Sequence, residues 1–206
     1  MKNILNLYEG FFDDLDKLNK NQNDEFGAVN GNIYNEHNYI LSPDKNPEFF
    51  YGLCDMCEYY QIPYNKNGFL QEDLDKITFI KSDNDWISFF QDIISLDELQ
   101  YFHNLKKIYF NSFGNCFKLK SVIFPETSNI SLSKYAFANC IFKEIYIPKN
   151  VKKIDLEAFF NCNALEKVTI PKKFENSIRF IFKQFHGILY ALDHGDFLTH
   201  INITYI

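Results

Sequence analysis

Phe159-Phe160-Asn161-Cys162-Asn163-Ala164-Leu165-Glu166-Lys167-Val168-Thr169-Ile170-Pro171 is the third statement of a pattern that the chain makes three times. Phe113-Gly114-Asn115-Cys116 leads to Leu119, Val122, Phe124 and Pro125, and Phe137-Ala138-Asn139-Cys140 leads to Ile145, Ile147 and Pro148. The three prolines stand 23 residues apart each time. A fixed period of this length belongs to stacked units that share one continuous core. Each apolar run before a proline carries β-branched or aromatic residues at alternate sites, as a strand does. The proline has no N–H to give to a ladder, so it ends the run. Stacked side by side, the runs make a short parallel sheet. Phe113, Phe137 and Phe159 form an aromatic spine behind it, and Ile108, Leu132 and Ile154 a second buried column. The fold class expected is α+β: a short solenoid with a parallel β-ladder, preceded by a mainly helical region.

Over about residues 99–173 the pattern resembles the BspA-type leucine-rich repeat, whose usual form ends in A-F-x-x-C-x-x-L-x-x-V-x-I-P. Ala158-Phe159, Cys162, Leu165, Val168, Ile170 and Pro171 match it nearly completely, and Leu105-Lys106-Lys107-Ile108 echoes Val151-Lys152-Lys153-Ile154. The middle copy departs from it. Cys140 stands five residues before Ile145, where the other copies have six, and Phe142 falls near the usual Leu. Pro148 stays in phase, which predicts that a loop absorbs the change. The resemblance implies a non-enzymatic protein-interaction module.

Residues 1–98 differ in character and are expected to form an N-terminal helical capping region, with the repeats at 99–173 and a β cap at 174–206. Ile4, Leu7, Tyr8, Phe11, Phe12, Leu15 and Leu18 recur at steps of three and four, which predicts an amphipathic helix over 3–19. Asn30-Gly31 fits a tight turn. Pro43 and Pro47 precede a second amphipathic helix over about 47–61. A third helix is expected from Ser82 or Asp83 through Trp86, Phe89, Phe90, Ile93 and Ile94, closing the open N-terminal end of the stack. In the tail, Ile178, Phe180 and Phe182 alternate, as do Ile201, Ile203 and Tyr205, so both stretches are expected to be strands. Gly187 and His194-Gly195 mark turns between them.

Composition narrows the function. The 206 residues include 23 Phe and 13 Tyr, enough for a sizeable core. No apolar run approaches a membrane span. The opening Met1-Lys2-Asn3-Ile4-Leu5-Asn6-Leu7-Tyr8-Glu9 meets polar residues too early for a signal peptide, so a cytoplasmic or virion location is expected. Charge divides unevenly: 7 Lys against 19 acids over residues 1–98, a net of −12, and +6 over 99–206, for −6 in all. Basic residues recur with the repeat at Lys106-Lys107, Lys118, Lys120, Lys143, Lys152-Lys153, Lys167 and Lys172-Lys173. They suit either a stripe for a polyanion or a solvated face, and whole-chain acidity favours the face.

No catalytic residue, metal set or cofactor is expected. The chain holds no phosphate-binding G-x-x-x-x-G-K-[ST], no G-x-S-x-G elbow and no H-E-x-x-H. Cys116, Cys140 and Cys162 occupy one place in successive repeats, as small buried thiols. Cys54 and Cys57 form a lone C-x-x-C inside the second helix, without the further pair or histidine that a zinc site needs. Pro63 and Leu74 stand where a calcium loop around Asn65-Lys66-Asn67-Gly68 needs ligands. Asp193-His194-Gly195-Asp196 suits a turn between strands.

Asn3 to Phe12 also looks like the first residues of several proteins from tailed phages of gut bacteria, which implies a virion-associated or accessory phage protein docking through the repeat surface and the first helix. The alternatives are an adhesin-like surface protein, or an enzyme with a site in residues 20–80. The partner, the binding face and the oligomeric state stay open at this stage.

Overall fold

Three consecutive turns repeat one course of chain, and the repeat is set by where Phe, Asn and Cys fall. A computed structural model of the chain describes residues 39–82, 89–183 and 197–206, all within one compact unit, Asn38–Ile206. The helix expected over 3–19, the Asn30-Gly31 turn, Trp86, Gly187 and the Asp193–Asp196 turn lie outside the described residues.

Each turn carries two short strands. The first set is β1 (Phe79–Ile80), β3 (Lys107–Ile108), β5 (Ser131–Leu132) and β7 (Lys153–Ile154), which pair in that order, all parallel. The second set is β2 (Ser95–Leu96), β4 (Ser121–Val122), β6 (Glu144–Tyr146), β8 (Lys167–Ile170) and β9 (Asn202–Tyr205). The expected single sheet is therefore two ladders, and the buried column of Ile108, Leu132 and Ile154 is a sheet in its own right, with Ile80 as its first member.

Between the two strands of a turn the chain passes through the Phe-x-Asn-Cys segment. Phe90, Phe113, Phe137, Phe159 and Phe182 stack with ring centroids 5.0, 5.2, 5.3 and 5.0 Å apart, each ring buried. The expected three-ring spine thus gains a ring at each end. The Phe113 N–H donates to the Ala136 carbonyl and that of Phe137 to the Ala158 carbonyl, both at 2.9 Å. The Phe carbonyls receive thiols from the next turn: Cys116 donates to Phe90 O at 3.0 Å, Cys140 to Phe113 O at 3.2 Å and Cys162 to Phe137 O at 3.1 Å. Only a small donor fits there, and the bonds leave the spine's backbone polar groups paired, as a dry core requires.

The asparagines have a different task. Asn115, Asn139 and Asn161 sit at φ of 64°, 58° and 58°, the left-handed region that Asn tolerates better than other side chains. Asn139 Nδ2 donates to Asn115 Oδ1 and Asn161 Nδ2 to Asn139 Oδ1, each at 2.7 Å. One residue type therefore supplies both the backbone conformation and the link to its neighbour.

The N-terminal end of the stack is closed by α1 (Pro47–Tyr59). Asn46 caps it through Oδ1, which accepts from the Phe49 N–H, while its Nδ2 donates to Ser95 O at 3.1 Å and to Glu98 Oε2 at 2.8 Å. Pro47 at the first turn costs no hydrogen bond. The Phe49 ring lies 5.9 Å from both Phe90 and Phe102. This corrects the expected cap: Phe89 to Ile94 are turn and extended chain leading into β2, not helix, because Phe90 is already the first spine ring. A bridge between Leu41 and Phe69 and the short α2 (Gln71–Leu74) complete this end.

At the other end a 3₁₀ segment, Lys172–Ser177, runs into α3 (Ile178–Ile181). The strand expected from Ile178, Phe180 and Phe182 is therefore a helical turn. Phe182 has to reach the spine, and the carbonyls of Ile181 and Lys183 accept from Phe159 N at 3.1 Å and Asn161 N at 2.9 Å. The strand expected from Ile201, Ile203 and Tyr205 is β9, parallel to β8.

Candidate docking face

The second ladder shows its outer face to solvent. In β6, Glu144 and Tyr146 are exposed and Ile145 is buried; in β8, Lys167 is exposed and Val168 and Ile170 are buried. The register places Glu144 beside Lys167 and Tyr146 beside Thr169. Lys167 Nζ lies 3.0 Å from Glu144 Oε2, and Lys143 Nζ 2.7 Å from Glu166 Oε1. Such exposed pairs set charge pattern more than stability.

This ladder is split. β2 pairs with β4, and β6 with β8 and β9, but β4 and β6 do not pair. The split falls on the copy in which Cys140 precedes Ile145 by five residues instead of six. The segment between Cys140 and β6 takes up the shorter interval, as expected, because β6 keeps full register with β8, whose own interval is six. A groove of about 630 Å³ opens there, lined by Lys120, Ser121 and Val122 on one lip and by Ile141, Lys143 and Tyr146 on the other, with Lys167 beyond.

Two further depressions flank the first ladder's turns. One of about 330 Å³ runs under Phe110, Tyr135 and Phe160, whose ring centroids are 5.6 and 5.4 Å apart. The other, about 470 Å³, is polar and holds His103, Lys106, Ser131 and Lys152.

Four of the repeating lysines are paired with carboxylates, while Lys106, Lys152 and Lys172 have no ion pair among the described residues. Lys118 pairs with Asp92 at 2.8 Å and Lys153 with Asp155 at 2.6 Å, in addition to the two pairs above. Lys107 Nζ sits 4.2 Å above the Tyr109 ring. Lys134 and Lys183 converge on Glu157, at 2.9 and 2.8 Å, and hold its carboxyl down to about 2. Lys120 has no ion-pair partner among the described residues.

The cysteines are free. Burial pushes the Cys162 thiol up to about 12 and raises Cys116 and Cys140 as well. Cys54 and Cys57 lie on α1, where burial raises both to about 12. Among the described residues no three His, Cys, Asp or Glu side chains gather as a metal site would need, and no helix is long and apolar enough to cross a membrane. Asn67 N–H donates to Asn65 Oδ1 at 2.9 Å, so the loop before Gly68 is a side-chain-closed turn.

Two functional features were missed from the sequence, the outer spine rings and the groove. Phe90 and Phe182 each stand 23 residues from the nearest expected spine ring, at Phe113 and Phe159, which is the signal that finds them.

The BspA type leucine rich repeat region matches residues 87–202, in six copies, which is more than half of the chain. The chain belongs to the BspA-type leucine-rich repeat family. The family match reaches beyond the expected 99–173 on both sides, taking in Phe90 and Phe182. A crystal structure of a leucine-rich repeat protein from Bacteroides ovatus ATCC 8483 is 41% identical over 32% of this chain and 17% of that one, with a TM-score of 0.30. The chain thus spans under a fifth of that protein's length. No curated protein matches. Membership in this leucine-rich repeat family points to a protein-interaction or surface-binding module.

Proposed function

We propose that this leucine-rich repeat protein is a non-enzymatic docking protein, and that it serves as a virion-associated or accessory protein of a phage. The observation that carries the docking reading is the split ladder. A stack held by five buried Phe rings keeps a groove of about 630 Å³ with exposed Ile141 and Tyr146 at its lip. A rigid scaffold of this kind loses little entropy on binding, which favours recognition of a partner surface. The phage assignment rests on the likeness of Asn3 to Phe12 to the openings of tailed-phage proteins. The host cytoplasm and the virion are the compartments that go with it.

Gradient sedimentation of lysate from the native source, with mass spectrometry locating the chain, tests this reading. Co-migration with a large particle in fixed ratio is the expected result. Migration as a small species alone would remove the virion assignment.

A further inference from the structure

We propose that the polar depression beside the first ladder binds a phosphate dianion, as the free ion or as the end group of a monoester. The site is separate from the split ladder and does not depend on the docking reading. It arises from a reversal of side-chain direction in one turn. Leu105-Lys106-Lys107-Ile108 and Val151-Lys152-Lys153-Ile154 each bury their first residue and expose the second. The turn between them runs Asn129-Ile130-Ser131-Leu132, and there Asn129 is exposed and Ile130 buried. The three stretches lie in register: the Ser131 N–H donates to the Lys106 carbonyl at 2.9 Å, and the Lys152 N–H to the Ile130 carbonyl at 2.8 Å. Lys106 and Lys152 therefore stand two ladder steps apart, about 10 Å. Ile130 has turned inward between them, and the depression of about 470 Å³ opens at the place it vacates.

The lining selects the ligand. Lys106 and Lys152 bring two positive charges, and Thr127, Asn129 and Ser131 add neutral hydrogen-bonding groups between them. No carboxylate lines the depression among the described residues. Of the acids around it, Asp75 faces His103 Nδ1 at 3.4 Å and accepts from Gln71 Nε2 at 2.7 Å. Asp155 holds Lys153 at 2.6 Å, and Glu126, which precedes Thr127, is exposed outside the lining. The backbone of the middle turn is fixed in advance. Ser128 Oγ donates to the Phe102 carbonyl at 3.2 Å, and Asn150 Nδ2 donates to the carbonyls of Pro125, at 2.9 Å, and Ser128. The four-carbon lysine stems let both ammonium groups lean over the shared place. Their combined charge matches a phosphate monoester, which carries about −1.5 to −2 at neutral pH. A carboxylate or a sulfate monoester, with a single charge, would leave one lysine unanswered.

Amide-resolved NMR titration of the full-length chain tests the proposal, with phenyl phosphate, phenyl sulfate and inorganic phosphate as probes near neutral pH. Phenyl phosphate is expected to shift the amide signals of residues 127–131 saturably, with a Kd of about 1 mM at low salt. Binding should weaken several-fold as salt rises from about 0.05 to 0.3 M, because both lysines are exposed. Phenyl sulfate has the same body and one charge, and should bind about fivefold more weakly. Lys106→Gln and Lys152→Gln should each weaken phenyl phosphate about fivefold, and Asn129→Asp, which adds a carboxylate at constant size, about tenfold. Lys66→Gln, an equal loss of charge beside Glu58, should leave binding unchanged. The replaced side chains are exposed, and the same spectra report whether each variant is folded. Equal binding of phenyl sulfate, shifts that do not saturate, or an affinity unchanged in both lysine variants overturns the proposal. Inorganic phosphate separates the two sources of the dianion. Tighter binding than the ester assigns the site to the free ion, and weaker binding to a phosphoryl group carried on a larger molecule.

Discussion

Asn139 donates its side-chain N–H to Asn115 Oδ1 at 2.7 Å, one turn away, while its own backbone stands at φ 58°. The same residue receives the Asn161 amide at 2.7 Å. Local conformation and turn-to-turn linkage are therefore joined in a single side chain, and they can be separated by mutation. Asn139→Gly keeps the left-handed backbone and removes the amide bonds, for a cost of about 1–2 kcal/mol. Asn139→Ala removes the bonds and adds about 1 kcal/mol of backbone strain. Urea unfolding of the two variants should rank Ala below Gly. The reverse order would mean that glycine's extra freedom in the unfolded chain outweighs the left-handed strain.

The thiol column makes a prediction about reactivity. Cys116, Cys140 and Cys162 are buried, donate to Phe carbonyls and have thiols raised by burial, so they remain protonated at neutral pH. Titration of the native protein with a thiol-specific disulfide reagent should leave these three unmodified until denaturant is added. Cys54, half-buried on α1, should react first. Rapid modification of all five under native conditions would contradict the packing.

The solenoid was legible because its constraint recurs. Phe, Asn and Cys at one spacing announce a turn that must be built the same way each time, and the prolines mark its end. Both ends were harder to read, since a terminal turn is bound on one side only and can be built otherwise. Ile178, Phe180 and Phe182 alternate like a strand, yet Phe182 must reach Phe159, and a helical turn delivers it. The same holds for Phe90, whose neighbours are apolar enough to suggest a helix. The groove was not legible. The shorter Cys140 to Ile145 interval could be counted, but β6 still keeps register with β8, so the unpaired step between β4 and β6 is a tertiary feature.

Gly52 sits at the contact between α1 and the first spine turn. A Cβ there would meet the Phe89 carbonyl oxygen at 2.6 Å and the Phe90 ring at 2.7 Å. Helix propensity alone predicts that Gly52→Ala stabilises by about 1 kcal/mol. The obstructing atom is backbone, so the helix must shift, at a cost of about 1–3 kcal/mol. The expected net effect is destabilisation, read as a lower urea midpoint. A raised midpoint would show that α1 moves freely over Phe90.

Glu157 carries the pH dependence. Lys183 and then Lys134 bond its carboxylate, which is 15% exposed, and hold it at about 2 against an ordinary 4.5. A depressed carboxyl stabilises the fold above its ordinary value and loses that stabilisation as pH falls toward the folded one, here between 4.5 and about 2. Both lysines are about half exposed, so solvent screening reduces the contribution to about 1–2 kcal/mol near neutral pH. Glu157→Gln keeps size and backbone and cannot ionise. Its melting temperature should lie below that of the parent near neutral pH, and the two curves should converge as the pH is lowered through that window. A gap that stays constant down to about pH 2 would place the role of Glu157 in hydrogen bonds that the Gln amide does not reproduce rather than in its charge.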